Sequence, residues 1–412
     1  MLILSTLLAL ALAGTISSAV FLGLVCLGVI HFRRQTKAAP YKVPSDQGLP
    51  PVSLLKPVHG LEAQLEENIE SFFRQDYPHY EILFAADRAD DPALDVVRTV
   101  RTRHPDVPCR IMVNGPPPWP NPPAFSFHCM ADVAAHDILV TSDSDVEVDA
   151  NYLREVVPPL LDPTIGMVTC LYRGKNAGGF WSGLDAIGMS VEMSAGVLVV
   201  NLLEGVKFGL GPTIAVRKDA LAKVGGYRAL RNYFANDFMI GHLIDRAGYR
   251  VVLSPYVIQH VSPPMTVRSM WRRLVRWGKS TRYSRPKGHF GTALIFSMPY
   301  GILGLACGLL LGRPVLALVL LGVAFLNRIL EAWIVGWGVV RDRRARNSPW
   351  LYPLRDLLGF FVWCASYLSK SSVWRDSNYQ LLAGGLIVRT GTDGAQAESV
   401  DPTRPVVLNR PH

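Results

Sequence analysis

A long run without a charged residue, close to the amino terminus, restricts how this chain can fold. The run extends from Ile3 to Ile30. At ~1.5 Å per residue, a helix of this length more than spans a hydrocarbon core of roughly 30 Å. No basic segment precedes it and a basic one, residues 31–37, follows at once, which disfavours a cleaved signal peptide. We predict a transmembrane helix over residues 1–32, with the amino terminus outside and the chain after Arg33 in the cytoplasm.

A second apolar region lies in the carboxy-terminal third of the chain. It runs from about Phe290 to Val340 and is broken by Gly312-Arg313-Pro314, which predicts a tight hairpin between two spanning helices. The next loop is flanked by arginines, which is typical of the cytoplasmic side: Arg341, Arg343, Arg344, Arg346 and Arg355. The segment 357–369 is apolar but short, so a third span, a re-entrant helix and an interfacial segment remain open. We assign residues 290–370 to a C-terminal transmembrane region.

Two ionisable residues interrupt the second of these spans. Arg328 and Glu331 are three residues apart, so their side chains share one helix face. Charged residues inside a membrane usually pair with one another or face a polar interior. We therefore predict a mutual ion pair directed into the helix bundle, in preference to a contact with lipid headgroups.

The chain is basic, with a formal net charge of +9 at pH 7. Such a charge suits either a nucleic acid or an anionic membrane surface. The arginines and lysines cluster beside the apolar segments, together with aromatic side chains, as at a membrane interface. This placement favours the lipid bilayer as the partner and argues against nucleic acid. The six cysteines follow no ligand or disulfide spacing, which indicates reduced thiols in a cytosol-facing protein.

Residues 45–262, between the two apolar regions, alternate between apolar strands and helical patterns. The predicted strands lie at 51–56, 80–86, 109–113 and 138–141, and the predicted helices at 66–74 and 92–103. Such alternation is typical of an α/β domain with a parallel sheet and helices on both faces. Open sheets of this kind bind ligands beyond the carboxyl ends of their strands, and Asp87 and Asp143 stand just past two such ends.

Two carboxylates directly follow the last of these strands, in the segment Thr141-Ser142-Asp143-Ser144-Asp145-Val146. On a strand, residues i and i+2 point to the same face, so Asp143 and Asp145 can converge on one divalent cation, Mg²⁺ or Mn²⁺. A nucleotide diphosphate would be the third partner of that cation. The local alternative is a solvated turn or a helix cap. The second carboxylate position at the same edge, Asp87, favours the metal site.

Further along, a carboxylate and a basic segment add to this pattern. Asp237, in Asn236-Asp237-Phe238, precedes an amphipathic helix predicted over residues 239–247, where it is either a helix cap or a functional group. In the aromatic, basic segment 267–283, Arg273 and Arg276 share a helix face beside Trp277. A helix resting on anionic lipid would explain this segment, whereas paired arginines also suit a diphosphate. We describe residues 263–289 as an interfacial amphipathic segment.

Taken in order, these motifs resemble glycosyltransferase family 21, the membrane-bound ceramide glucosyltransferases of the GT-A type, together with bacterial hopanoid-associated relatives. The resemblance covers nearly the whole chain. It rests on the following segments: Leu54-Leu55-Lys56-Pro57, Gln75-Asp76-Tyr77-Pro78, Asp90-Asp91-Pro92-Ala93, Asp143-Ser144-Asp145, Val168-Thr169-Cys170-Leu171-Tyr172-Arg173-Gly174, Gly226-Tyr227, Asn236-Asp237 and Arg273-x-x-Arg276-Trp277. It implies a GT-A (Rossmann-like) glycosyltransferase domain between N-terminal and C-terminal transmembrane helices.

The resemblance also implies a role for each site residue. Asp87, with Asp90 as the alternative, would contact the uracil and ribose of a sugar nucleotide, and Asp143 with Asp145 would position the metal and the diphosphate. Asp237 would be the general base. The diphosphate would be bound by Arg273, Arg276 and Trp277, which would also help to form the acceptor site. Two positions depart from the family pattern: Pro123 stands where a lysine is usual, and Asn236 stands where an acidic residue commonly precedes the base.

The implied activity is inverting transfer of glucose from UDP-glucose to the hydroxyl of ceramide or a similar membrane lipid. The alternatives are transfer of glucose or N-acetylglucosamine to a hopanoid, polymer synthesis, and an inactive protein that retains the fold. Acceptor contacts are expected around Gly178-Gly179-Phe180-Trp181 and over residues 189–200, which include Glu192. A role in core or interfacial packing is the alternative for the apolar residues of these segments. The implied location is a bacterial inner membrane, with the catalytic domain facing the cytoplasm. Residues 389–412 are predicted to form a disordered tail.

Overall fold

The computed structural model describes residues 1–38, 46–374 and 377–390. Its helices occupy Leu2–Ala38, Leu65–Phe73, Pro92–Arg103, Pro122–Val133, Tyr152–Val156, Phe180–Leu203, Lys218–Lys223, Asn236–Arg246, Val267–Ser284, Pro286–Leu294, Met298–Leu310, Pro314–Trp337, Arg343–Asn347 and Leu351–Ser366. Its strands are β1 (Val52–Pro57), β2 (Tyr80–Ala86), β3 (Cys109–Val113), β4 (Ile138–Ser142), β5 (Val146–Glu147), β6 (Ile165–Asn176), β7 (Thr213–Arg217), β8 (Arg250–Ser262), β9 (Ser371–Trp374), β10 (Ser377–Leu381) and β11 (Ile387–Thr390).

Eight strands form one sheet in the order β3-β2-β1-β4-β7-β6-β8-β5. The first four are parallel, but β7 runs antiparallel to both β4 and β6, and β5 runs antiparallel to β8. The α/β class is confirmed. The predicted parallel pairing is correct for β1 to β4 and for β6 with β8, and it is wrong for β7 and β5. Parallel neighbours need a crossover that returns the chain to the edge where the first strand began. The chain instead enters β7 at the edge where β4 ends, so the pairing reverses there.

Local sequence accounts well for the elements of the parallel half. The helix Pro92–Arg103 has the predicted bounds because Asp91 accepts a hydrogen bond from the Ala93 amide at 2.9 Å and Pro92 occupies the first turn. Strands β1 and β4 are buried almost throughout, as expected for strands that are covered on both faces of a sheet.

Among the described residues, three helices are long and apolar enough to cross a membrane: Leu2–Ala38, Phe180–Leu203 and Pro314–Trp337. A fourth crossing is available if Pro286–Leu294 and Met298–Leu310, which are bent by 40° relative to each other, act as one span. The predicted hairpin is present. Gly312 has a positive φ of 68° at the turn and Pro314 begins the next helix, which are the conformational roles these two residue types favour.

The helix Phe180–Leu203 contains the acceptor region that the sequence indicated, and it lies partly inside the protein. In its most apolar window 67% of the residues are buried. A π-helical turn, Met189–Met193, interrupts it near the middle. It packs closely on the N-terminal helix, where a Cβ on Gly28 would stand 2.8 Å from the carbonyl oxygen of Leu198. Small residues permit such close helix contacts in membrane proteins.

The predicted pair of Arg328 and Glu331 is confirmed, and it belongs to a larger buried cluster. Arg328 Nη2 lies 2.8 Å from Glu331 Oε2, and Arg328 Nη1 lies 3.2 Å from Asp356 Oδ1. The hydroxyl of Tyr352 donates a hydrogen bond to Glu331 at 3.0 Å. Asp356 comes from the helix Leu351–Ser366, so the cluster ties that helix to Pro314–Trp337.

A small antiparallel sheet, in the order β11-β10-β9, follows the apolar helices. It contacts the domain of the eight-stranded sheet through a hydrogen bond of 2.8 Å from the Ile387 amide to the carbonyl of Asn232. Of the predicted tail, residues 389 and 390 instead belong to β11, because they pair with Tyr379 and Asn378 of β10. Residues 391–412 lie outside the described part of the chain.

Candidate active site

The two aspartates that follow β4 lie in a turn that neighbouring side chains fix. Lys56 donates a hydrogen bond from Nζ to the carbonyl of Asp143 at 2.5 Å, and Asn68 donates one to the carbonyl of Ser144 at 3.2 Å. The strand ends at Ser142, so the i, i+2 argument for one strand face is wrong in detail. Asp143 and Asp145 nevertheless line the same cavity, because the chain turns there to enter β5.

The two carboxyl groups have different surroundings and different proton affinities. Burial, reinforced by the negative charge of Asp145, raises the pKa of Asp143. Burial is the largest single influence on Asp145 and disfavours its charged form, but the combined effects of His260, Arg273 and Lys56 are greater and lower the pKa of that carboxyl. The Nε2 atom of His260 lies 2.9 Å from Asp145 Oδ2. His260, which sequence reasoning missed, therefore helps to hold Asp145 as a carboxylate.

Asp237 lies in the first turn of the helix Asn236–Arg246, at the same cavity. The helix begins earlier than the predicted residue 239, so Asp237 is inside it. Backbone amides of Phe238 and Gly211 hydrogen-bond to its carboxyl group and oppose a rise in its pKa, but burial has the larger effect and raises the pKa of Asp237. The absence of a side chain at Gly211 permits this approach, since a Cβ there would stand 2.9 Å from Asp237 Oδ2.

The amphipathic helix Val267–Ser284 supplies the basic side of the cavity. Arg273 stacks on the ring of Trp277, with its guanidinium carbon 4.5 Å from the ring centroid. Its Nη2 atom lies 3.2 Å from His260 Nε2, and its Nε atom lies 3.7 Å from the buried Asp185. Arg272 and Arg276 line the cavity as well, so three arginines face the space next to the aspartates.

These residues enclose a cavity of about 640 Å³, which we call the donor cavity. A second cavity, of about 610 Å³, extends between the apolar helices and reaches residues such as Phe21, Phe296 and Trp363; we call it the acceptor cavity. The two share a set of lining residues: Asp143, Gly211, Ala235, Asp237, His260, Trp277 and Ser280. A polar site and an apolar space between membrane helices thus meet at Asp237.

The two remaining predicted site residues lie at the margin of this arrangement. Asp87 directly follows β2, and β2 is next to β1 in the sheet. Asp90 is exposed and pairs with Arg88, with 2.5 Å between the closest oxygen and nitrogen. Neither is among the described residues that line the donor cavity. Their contact with a nucleotide stays a prediction.

Two other residues of the site were not predicted from the sequence to be functional. The sequence shows Lys56 only as part of a motif. In the structure its side chain is buried, lies 3.8 Å from the ring centroid of Phe72, and donates the hydrogen bond that fixes the turn at Asp143. Burial lowers the pKa of Lys56 to about 7. Asp185 lies within an apolar run, where a lone carboxylate was the available signal; the hydroxyl of Ser262 donates to it at 2.8 Å.

The residues present fit a divalent cation that is completed by a substrate. The Oδ1 atom of Asp145 is buried and has no hydrogen-bond partner among the described residues, and carboxylate oxygens suit Mg²⁺ and Mn²⁺. Within the described ranges, no group of three or more His, Cys, Asp or Glu side chains is placed to hold a metal by itself. Magnesium is commonly bound by one or two carboxylates together with substrate phosphates. Asp143 and Asp145 would be those carboxylates here.

Several known proteins are similar to this chain over most of its length. Ceramide glucosyltransferase 3 of Caenorhabditis elegans is 25% identical over 379 residues, which cover 89% of this chain and 81% of the relative. Ceramide glucosyltransferase 1 of the same species is 25% identical over 92% of this chain and 81% of its own length. Among solved structures, the mannosyltransferase PcManGT from Pyrobaculum calidifontis, in complex with GDP-Man and Mn²⁺, matches 86% of this chain and 99% of its own, with 21% identity and a TM-score of 0.48.

The profile of glycosyl transferase family 21 matches residues 10–387, which include the N-terminal apolar helix, the catalytic sheet and the C-terminal helices. This chain, with its mixed α/β, GT-A-like domain and its long apolar helices, is therefore a glycosyltransferase that belongs to glycosyl transferase family 21.

Proposed function

We propose that the protein transfers glucose from UDP-glucose, with inversion at the anomeric carbon, to the hydroxyl of ceramide or a similar membrane lipid. The observation that carries this proposal is the meeting of two cavities at Asp237. One is lined by carboxylates and arginines, which suit a nucleotide diphosphate, and the other lies between apolar helices, which suit a lipid. The two C. elegans relatives are named ceramide glucosyltransferases, which supports the choice of acceptor.

In the proposed reaction, Asp237 accepts the proton of the acceptor hydroxyl while that oxygen forms a bond to the anomeric carbon of glucose. The bond from that carbon to the UDP oxygen breaks on the opposite face, and UDP leaves with the electron pair. A base whose pKa is raised by burial binds a proton more readily than an exposed carboxylate would. The hydrogen bonds from Gly211 and Phe238 orient the carboxyl group for this step.

The leaving UDP gains negative charge, which the basic side of the donor cavity would stabilise. Arg272, Arg273 and Arg276 line that side, and guanidinium groups bind phosphate oxygens through paired N–H donors. A Mg²⁺ or Mn²⁺ ion on Asp143 and Asp145 would neutralise charge on the same diphosphate. Trp277, which stacks on Arg273, holds that arginine in place and forms part of the wall between the two cavities.

Membrane attachment belongs to the same proposal. The acceptor cavity is lined from both the catalytic domain and the apolar helices, so a lipid could reach Asp237 without leaving the bilayer completely. We place the catalytic domain on the cytoplasmic face, because the arginine-rich loop 341–346 follows the apolar hairpin on that side.

Sugar transfer in purified membranes tests this proposal. Membranes that contain the protein receive radiolabelled UDP-glucose or UDP-N-acetylglucosamine with either ceramide or a hopanoid polyol. We expect label from UDP-glucose in ceramide, and a loss of roughly 100-fold or more in Asp237→Asn, since a general base contributes about that much. Asp245→Asn, at the other end of the same helix, is the matched control and should retain activity.

Three other results would contradict the proposal. Label in the hopanoid alone would change the acceptor, and label from UDP-N-acetylglucosamine alone would change the donor sugar. No label in any lipid, from a protein that still binds UDP, would indicate an inactive protein or an acceptor of another kind.

A further inference from the structure

A polar pair lines the acceptor cavity away from the donor cavity. Glu192 and Arg355 line the former and not the latter. Arg355 Nη2 lies 2.9 Å from Glu192 Oε2, and we call the two residues the Glu192–Arg355 pair. The Arg355 side chain is only 8% exposed, whereas 38% of the Glu192 side chain remains accessible. A molecule in the cavity can therefore reach part of the Glu192 side chain, while Oε2, the oxygen that faces Arg355, is itself buried and has no hydrogen-bond partner among the described residues.

The guanidinium group of Arg355 has hydrogen-bond donors that no described residue accepts. Its Nε and Nη1 atoms are buried and have no hydrogen-bond partner within the part of the chain that the structure describes. Buried donors of this kind are rare in folded proteins, and leaving them unpaired is unfavourable, more so when the group is charged. A bound ligand that accepts hydrogen bonds from Arg355 would remove this deficit.

The backbone on both sides of the pair makes room for it. A Cβ on Gly188 would stand 2.4 Å from Arg355 Nε, and a Cβ on Gly359 would stand 3.0 Å from Arg355 Nη1. The guanidinium group thus lies between two glycines of different helices. Glu192 belongs to the π-helical turn Met189–Met193, a distortion that is frequent at functional sites. Both glycines also line the acceptor cavity.

We propose that the Glu192–Arg355 pair selects the acceptor lipid by hydrogen-bonding a polar group that accompanies the reacting hydroxyl. This inference rests on the proposed function, because it concerns the lipid that would fill the same cavity. A carboxylate can only accept hydrogen bonds and a guanidinium can only donate them. The matching lipid group must therefore both donate and accept, as an amide or a hydroxyl does.

The same chemistry excludes a common class of membrane lipid. A diacylglycerol has a free hydroxyl for transfer, but its esters only accept hydrogen bonds and offer Glu192 no donor in addition to Arg355. Sites built from buried polar groups reject ligands that leave those groups unpaired. The required donor and acceptor can come from the amide of an N-acyl lipid or from additional hydroxyls of a polyol lipid.

Equilibrium binding of lipids to the full-length protein, without a sugar donor, tests the inference. The probes are a short-chain ceramide, an alkyl polyol and a diacylglycerol of matched chain length. We expect the ceramide or the polyol, or both, to bind roughly 10-fold or more tightly than the diacylglycerol, since hydrogen bonds to charged groups contribute at least that much. Which of the two binds tightly identifies the source of the polar group.

Two variants and one control test whether the Glu192–Arg355 pair causes the preference over diacylglycerol. Glu192→Gln makes the side chain at position 192 a weaker hydrogen-bond acceptor without a large change of shape. Gly359→Ala places a methyl group against Arg355 Nη1 without removing a charge. Each should reduce the preference over diacylglycerol to about 3-fold or less. Glu67→Gln, an exposed change of the same kind on the helix Leu65–Phe73, should leave the preference unchanged. Unaltered UDP binding shows that a variant is folded.

The inference is overturned if the wild type binds all three lipids alike, or if both folded variants keep the preference. Because the assay involves no turnover, its outcome is separate from that of the transfer assay. A lipid that binds selectively and is never glycosylated would count against the proposed function and leave the role of the Glu192–Arg355 pair intact.

Discussion

At the level of single residues, the environment of Asp237 reconciles two opposite demands. A carboxyl group without hydrogen bonds would move freely, and one in water would be a weak base. Asp237 is held by the amides of Gly211 and Phe238, yet burial keeps its pKa above the ordinary range. Its neighbour in sequence, Asn236, adds no negative charge, so burial is the principal cause of the shift.

The raised pKa predicts how transfer should depend on pH. A general base must be deprotonated, so kcat/KM should fall as the pH decreases through the pKa of Asp237. We expect this acid limb above the usual carboxyl range of about 4, because the shift is upward. The measurement is kcat/KM for the lipid against pH.

The affinity for UDP over the same pH range separates this effect from titration of Asp143 and Asp145. If kcat/KM falls where UDP binding is constant, the acid limb belongs to Asp237. An acid limb near pH 4 would contradict the environment that the structure gives this residue.

A methyl group at position 211 should displace the base. In Gly211→Ala, the new Cβ would lie 2.9 Å from Asp237 Oδ2 and would push the carboxyl group out of its hydrogen bonds. Misplacement by an ångström or less can reduce rates by roughly 10-fold to 100-fold. We expect such a loss in kcat with little change in the melting temperature. Gly322→Ala, which has nothing within 4 Å of the new Cβ, is the control and should behave as wild type.

The candidate site divides into residues that sequence could find and residues that it could not. Three aspartates were predictable because a local pattern marks each one: Asp143 and Asp145 follow the end of a strand, and Asp237 is at the start of a helix. All three line the donor cavity. Lys56 and His260 lie in strands whose patterns describe only burial. Their importance comes from what the sheet places next to them, and that depends on strand order.

At the level of elements, the helix Val267–Ser284 packs on neighbouring helices and also supplies side chains to the site. Thr266 and Ser269 form a capping box at its start, which fixes where the helix begins. Met270 and Leu274 are buried, and Arg273 extends into the donor cavity from between them. Of the two interpretations of this segment, the placement of its arginines favours a diphosphate site, and contact with lipid stays a prediction.

Two arginines of this helix should differ in their effect on donor binding. Arg276 lines the donor cavity, whereas Arg268, near the start of the helix, is exposed and does not. We expect Arg276→Gln to weaken UDP binding by roughly 10-fold or more, since a hydrogen bond to a charged group is lost. Arg268→Gln removes the same charge and should leave UDP binding nearly unchanged.

Titration calorimetry with UDP and Mg²⁺ measures both affinities. Equal losses in the two variants would mean that the helix attracts the nucleotide only through its overall charge. In that case the affinity would also fall with rising salt concentration in the same way for both proteins.

Elements with a complete local signal were predicted closely, and elements defined by their partners were not. Strands β2 and β3 have the predicted bounds, because apolar runs and turn residues delimit them. The antiparallel position of β7 had no such signal. It is set by pairing with β4 and β6, two strands that are distant in sequence.

For the whole molecule, the sheet determines which apolar helices can cross a membrane. Strand β6 precedes the helix Phe180–Leu203, while β7 and β8 follow it in the same sheet. A crossing would place parts of one sheet on opposite sides of the bilayer, so this helix must begin and end on the same side. Length and composition alone would assign this helix as a membrane span. Hydropathy therefore has to be combined with the strand order before a crossing is assigned.

The same reasoning applies to the C-terminal region. The sheet β9 to β11 contacts the catalytic domain, so the chain between Ser262 and Ser371 crosses an even number of times. We expect the bent pair Pro286–Leu294 and Met298–Leu310 to give one crossing and Pro314–Trp337 to give the other. On that expectation the short helix Leu351–Ser366 would stay on the catalytic side, so a re-entrant or interfacial segment is favoured over a third span.

This arrangement predicts which positions face the cell exterior. Ile3 and Arg313, at the start of the first helix and at the hairpin, should lie opposite the catalytic domain, which is represented by the exposed Arg98. Each is replaced by cysteine in a protein whose six native cysteines are changed to alanine. With a membrane-impermeant maleimide, intact cells should label positions 3 and 313, and position 98 should react only after permeabilisation. Labelling of 98 in intact cells would reverse the orientation. Protection of 313 alone would mean that the hairpin does not cross, and the two predicted spans would then not hold the acceptor cavity within the bilayer.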